Sequence, residues 1–115
     1  MPYIKIQTNL DLSGERRRAF LKKLSHTVAA SLGKPEAYVM TALETGASMT
    51  LGGSTEPTVF IELKSLGLQA SVSGELTTML CKFINEEIHV SQDRVFIVFD
   101  SPDPTMWGWN GKTFG

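Results

Sequence analysis

A chain of 115 residues and 12.6 kDa has room for one hydrophobic core and not for two ordinary domains. Its 42% hydrophobic and 20% charged residues, with ten Gly and five Pro, are those of a soluble globular protein and exclude a disordered or fibrous one. A formal net charge of -1 excludes a general pull towards nucleic acid or anionic membrane, and the single Cys81 excludes an internal disulfide and a CxxC redox pair.

Residues 2–8 alternate around Tyr3, Ile4 and Ile6 and predict a strand beginning at the second residue. No basic segment with a long apolar run precedes it, and nowhere do eighteen apolar residues stand together. The expectation is therefore a cytoplasmic protein without a conventional signal peptide or membrane span, with non-conventional export left open. Pro2 is small enough for the initiator Met1 to be trimmed, which would leave a secondary amine at the chain start.

Asn9 to Leu12 read as a connection, and Ser13 as the N-cap of a helix with Glu15 in its first turn. Leu21, Leu24, Val28 and Leu32 form the apolar stripe of that helix, and Gly33 with Lys34-Pro35 ends it. Arg16, Arg17, Arg18, Lys22 and Lys23 fall on the same helix and read as its solvated face. A second strand is predicted from Tyr38 to Thr45 and a loop from Gly46 to Pro57. Gly52-Gly53-Ser54 in that loop lacks the Lys and helix of a phosphate loop.

The second half follows the same plan. Thr58 to Leu66 is a strand, and Leu76, Met79, Leu80, Phe83, Ile84 and Ile88 make a helical face carrying Cys81 as a structural free thiol. Arg94 to Phe99 is another strand. His26 and His89 have no ligand-spaced partner, so no metal is expected. Matching Lys34-Pro35-Glu36-Ala37-Tyr38 to Ser91-Gln92-Asp93-Arg94-Val95 gives two βαβ halves, about 2–45 and 58–100, followed by a tail, 101–115.

Right-handed crossovers then place two helices on one face of a four-stranded mixed sheet, an α/β (α+β) architecture. The other face is left open. Val59-Phe60-Ile61 and Val95 to Phe99 are apolar on nearly every residue, which predicts burial on both sides and self-association as the cover. The tail, with Trp107, Trp109 and Phe114, is expected to dock on a neighbouring subunit.

Met1-Pro2, Leu32-Gly33-Lys34-Pro35, Leu51 to Pro57, Ser91 to Val95 and Gly108-Trp109-Asn110 occur in this order along the whole chain. In these motifs the sequence resembles the macrophage migration inhibitory factor (MIF) family, which includes D-dopachrome tautomerase. The resemblance implies one MIF-like tautomerase domain over 1–115, a homotrimer enclosing a sheet-lined barrel, and active sites between adjacent subunits. It further implies keto–enol tautomerisation of phenylpyruvate-like or dopachrome-like substrates, a small aromatic 2-keto acid as partner, and no cofactor.

Such a reaction needs one base that accepts and returns a proton, and the Pro2 amine serves when burial and a nearby cation disfavour its ammonium form. Lys34 is the expected cation and the holder of the substrate carboxylate. Ser65 and Leu66 match pocket-lining positions of the family, while Tyr38, Trp107, Trp109 and Phe114 supply an aromatic wall. Trp107 is bulkier than the Val usual in the mammalian cytokine and narrows the mouth. Phe96 and Val98 stand where that cytokine has Tyr and Asn, so recognition of a 4-hydroxyphenyl group is not expected. Thr58 and Ile61 replace its CxxC pair, and thiol–disulfide activity is not expected either.

The alternative is an interaction protein, a MIF-like cytokine mimic or signalling ligand with vestigial activity. Receptor binding is not derivable from the residues. Decarboxylation or dehalogenation would call for added Arg or acidic groups near the proline, and the tail holds no Arg.

Overall fold

The computed structural model describes residues 1–115. Strands β1 (Pro2–Thr8), β2 (Met40–Glu44), β3 (Val59–Ser65) and β4 (Val95–Asp100) form one sheet in the order β2-β1-β3-β4. β1 and β3 are antiparallel at its centre, and each carries its own parallel partner at an edge. Helix α1 (Gly14–Leu32) joins β1 to β2, and α2 (Ser73–Ile88) joins β3 to β4. A parallel pair requires such a crossover, so the duplicated βαβ plan expected from the sequence is present.

Alternation decides which sheet face is covered. Ile4 and Ile6 of β1 and Val59, Ile61 and Leu63 of β3 are buried in one cluster with Leu24 and Val28 of α1 and Leu80 and Ile84 of α2. Both helices therefore lie on the same face. Tyr3, Lys5, Phe60, Glu62, Lys64, Phe96, Val98 and Asp100 point to the other face, which is only partly shielded in the single chain. Contrary to the expectation of apolar strands throughout, that face mixes aromatic and aliphatic side chains with charges. Lys5 reaches Glu44 at 3.4 Å, which suits a wet surface at least as well as a dry one.

The helix ends follow local chemistry. The Ser13 hydroxyl accepts from the Arg16 N–H at 3.2 Å, and Gly33, in the left-handed region at φ 63°, closes α1. The buried stripe of α1 runs through Phe20 rather than Leu21, because the Phe20 ring packs edge-on against Phe83 of α2 at 5.3 Å. His89 takes the left-handed position after α2 at φ 59°. Both second strands are preceded by a single helical turn, Glu36–Tyr38 and Gln92–Arg94, each entered from an extended residue, Pro35 and Ser91. The halves are thus equivalent one residue away from the match read in the sequence, and the second strand is shorter than expected because the first turn consumes Tyr38.

Thr8 donates its hydroxyl to the Thr58 carbonyl at 2.8 Å, and Thr58 donates in turn to the Arg94 carbonyl at 2.9 Å, so these hydroxyls near the core are satisfied. The Arg94 guanidinium donates to the carbonyls of Pro57 at 2.8 Å, Ser54 at 3.1 Å, Glu56 at 3.1 Å and Leu51 at 3.3 Å. One side chain therefore organises the loop before β3.

The tail does not wait for a neighbour to order it. Residues 108–109 and 112–113 form a hairpin, β5 and β6, around Asn110 and Gly111 at φ 52° and 83°, the left-handed pair that a tight hairpin turn demands. The Phe114 N–H donates to the carbonyls of Pro104 and Trp107, both at 3.1 Å. Trp109 meets Tyr38 of the same chain edge-on at 5.7 Å and stacks on Phe114 at 6.3 Å. In the single chain the tail packs on its own Tyr38, and Trp109 and Phe114 stay exposed.

Candidate active site

Pro2 is a suitable first residue for β1, since a proline there forfeits no ladder hydrogen bond. Its side chain is fully buried, and its ladder partner on β3 is Ser65, itself 1% exposed. Two cavities flank this rung. The larger, about 560 Å³, has Met1, Pro2 and Tyr3 on one side and Tyr38 to Met40 beside them. Met106, Trp107 and Trp109 of the tail wall it, and Lys64 and Asp100 enter from β3 and β4. The smaller, about 260 Å³, is bounded by Leu32 and Lys34 after α1, by Ser65 and Leu66 at the end of β3, and by Glu75 and Leu76 of α2.

Seven of the expected site residues line one cavity or the other. Pro2, Tyr38, Trp107 and Trp109 line the larger cavity, while Lys34, Ser65 and Leu66 line the smaller. Phe114 supports Trp109 from behind and lines neither. Lys34 nevertheless acts across the boundary. The terminal ammonium of Met1 is held below the usual α-amino value, first by desolvation and then by repulsion from Lys34. The left-handed turn at Gly33 sets Lys34 there, with the Lys34 N–H donating to the Ala29 carbonyl at 3.0 Å.

Phe96 and Val98 are not part of this arrangement within one chain. They project from β4 at 59% and 52% exposure. Through the ladder, Val98 is level with Glu62 and Lys5, and Phe96 with Phe60 and Gln7. Strand spacing and rise then put Val98 about 14 Å and Phe96 about 19 Å from Pro2 between Cα atoms. Neither can touch a small substrate at Pro2 of the same chain.

Among the cavity residues that the sequence does not single out are Tyr3, Met40, Lys64 and Asp100. Strand alternation alone assigns Tyr3 and Lys64 to the face opposite Ile4 and Ser65. Only the strand order reveals that Met40 and Asp100 extend the same row.

With Met1 attached, the Pro2 nitrogen is an amide and has no basicity; released, it becomes a secondary amine at a depression of aromatic and aliphatic walls. A neutral amine there can exchange a proton with a bound carbon acid, and the cation at Lys34 can hold an anion on the other side of the Pro2–Ser65 rung. No helix of the chain is long and apolar enough to cross a membrane.

The profile of the family described as macrophage migration inhibitory factor (MIF) matches residues 1–115. The chain is 37% identical over 116 residues to the macrophage migration inhibitory factor homolog of Brugia malayi, with 100% of both chains covered. It is 32% identical over 113 residues to D-dopachrome decarboxylase-B of Xenopus laevis, covering 96% of this chain and 95% of that protein. Among solved structures it resembles the macrophage migration inhibitory factor homologue of Prochlorococcus marinus at 40% identity and a TM-score of 0.91, covering 98% of this chain and 99% of that one.

Proposed function

This chain belongs to the macrophage migration inhibitory factor family, and on that premise we propose that it is a keto–enol tautomerase whose acid–base group is the Pro2 amine released by removal of Met1. The observation that carries the reading is the setting of Pro2. Pro2 is buried at the edge of an aromatic cavity, where desolvation and Lys34 already hold a terminal amine below its usual basicity.

In the proposed reaction an arylpyruvate lies with its ring along Tyr38, Trp107 and Trp109 and its carboxylate towards Lys34. The neutral amine takes a proton from C3, the C–H electrons move into the C2–C3 bond, and the carbonyl electrons go to oxygen. Lys34 opposes the developing negative charge, and the prolinium returns its proton to the enolate oxygen, so no redox partner or cofactor enters the balance. Dopachrome-like substrates fit the same proton shift.

The working assembly is proposed to be a homotrimer. The open sheet face, the two edge strands β2 and β4, and the exposed Tyr38, Met40, Met106, Trp109 and Phe114 all favour association. The family resemblance assigns Phe96 and Val98 to the pocket, and on that assignment only a second copy can bring them to Pro2. The same exposed aromatic rim, with the names of the relatives, favours a second reading in which the surface binds a protein receptor and catalysis is vestigial.

Mass spectrometry of the N-terminus, paired with phenylpyruvate and D-dopachrome methyl ester assays on wild type and Pro2→Gly, tests the proposal. Turnover by Met-free wild type that falls sharply in Pro2→Gly is expected. Absence of turnover in Met-free wild type would overturn the enzyme reading, and unchanged turnover in Pro2→Gly would overturn the mechanism.

A further inference from the structure

One row of side chains crosses the whole sheet at the end where the larger cavity opens. Met40 pairs with Tyr3, Tyr3 with Lys64, and Lys64 with Asp100, so all four share the open face, and all four line the cavity. Adjacent strands are about 4.8 Å apart, which sets the Lys64 stem directly beside Tyr3. The row runs from apolar to charged.

Lys64 is the one cationic side chain lining this cavity, because Lys34 lines the other. None of the chain's ion pairs engages it, although Asp100 is its strand neighbour. Asp100 makes the outer side of Lys64 repulsive to anions and leaves the Tyr3 side, towards Pro2, as the place where an anion gains most. Two unpaired ammonium groups thus stand on either side of the Pro2–Ser65 rung, one per cavity.

From this placement we propose that Lys64 is a specificity-determining residue, a second anion handle that biases the site towards aromatic 2-keto acids carrying an additional carboxylate on the ring. The inference rests on the Pro2 reading for the location of the substrate. A neutral ring hydroxyl gains nothing from Lys64, since it merely replaces a water on a hydrated ammonium; a carboxylate adds charge attraction.

The test measures binding separately from turnover. Cinnamate and its 3- and 4-carboxy derivatives are titrated into Met-free wild type, Lys64→Gln and Lys64→Arg, read by the fluorescence of Trp107 and Trp109. Lys64→Gln should weaken the better carboxycinnamate by about three- to tenfold, between the worth of an exposed ion pair and a charge-assisted hydrogen bond. Cinnamate itself should change less than twofold, and Lys64→Arg should retain the preference. Equal effects on all three compounds, or no effect on any, would overturn the role of Lys64. Phenylpyruvate turnover by the same wild-type sample tests the Pro2 reading independently.

Discussion

The sharpest consequence of the proposed assembly concerns Val98 and Phe96. Both are more than half exposed in the single chain, so Val98→Asn and Phe96→Tyr disturb no core packing and change mainly what a bound ring meets. Placing a hydrogen-bonding group opposite a buried substrate hydroxyl recovers about 1 to 3 kcal/mol. The ratio of kcat/KM for 4-hydroxyphenylpyruvate to that for phenylpyruvate should therefore rise between about fivefold and about 160-fold. In wild type the unsubstituted substrate should be preferred. The strand register adds a stricter requirement, since Val98 and Phe96 lie too far from Pro2 of their own chain to act there. Mixed assemblies of wild-type chains with chains carrying both Pro2→Gly and Val98→Asn should show the raised ratio, because the intact Pro2 and the new amide then come from different copies. A ratio that stayed at the wild-type value in those mixtures would refute the shared site. A wild-type preference for the 4-hydroxy substrate would refute the reading of Phe96 and Val98.

Lys34 disfavours the ammonium form of the Met1 amine, after desolvation; the same charge beside a released Pro2 amine acts in the same direction, so in the Met-free protein Lys34→Gln should raise the Pro2 amine pKa. The base is active when neutral, and the rising limb of the pH–kcat profile of the Met-free protein should move to higher pH; an unmoved limb would separate Lys34 from the base. Arg94→Met strips four hydrogen bonds from the carbonyls of the loop before β3. Because those carbonyls can partly regain water, the loss should be about 2 to 4 kcal/mol in denaturant unfolding rather than the sum of four charged bonds. A loss below 0.5 kcal/mol would mean the loop holds its shape without Arg94.

Much of the fold is legible because short-range rules are strong here. Ser13 and Gly33 bracket α1 by capping chemistry that requires no tertiary contact, and the period-two alternation of β1 and β3 separates Ile4, Ile6, Ile61 and Leu63 from Tyr3, Lys5, Glu62 and Lys64. The errors are equally local in origin. Tyr38 has strand propensity but is spent in the turn that lets the chain enter β2, and Leu21 yields to Phe20 because a ring pair with Phe83 outweighs spacing. The hairpin at 108–113 was announced by Asn110-Gly111, a strong turn signal hidden in a tail read for its aromatics.

The candidate site is legible in Pro2 and in three members of the expected aromatic wall, Tyr38, Trp107 and Trp109, which line one cavity with it. Pro2 stands out because its chemistry depends on being next to the chain start, a property of covalent order. The resemblance places Lys34, Ser65 and Leu66 beside it; in the structure Ser65 is its ladder partner, and Lys34 and Leu66 line the adjoining cavity with Ser65.

By itself, then, the sequence determined the four main strands, the two helices and their duplicated connectivity, which follow from local propensity and periodicity, while the family is carried by motif resemblance and the dependence of the Pro2 nitrogen on Met1 by covalent order. Tertiary structure alone decided the strand order β2-β1-β3-β4, and with it the row from Met40 to Asp100, the two cavities either side of Pro2 and Ser65, and the separation of Phe96 and Val98 from Pro2. Pairing between strands distant in the chain is a long-range choice made by the shared core, and no run of neighbouring residues encodes which side chains will meet across it.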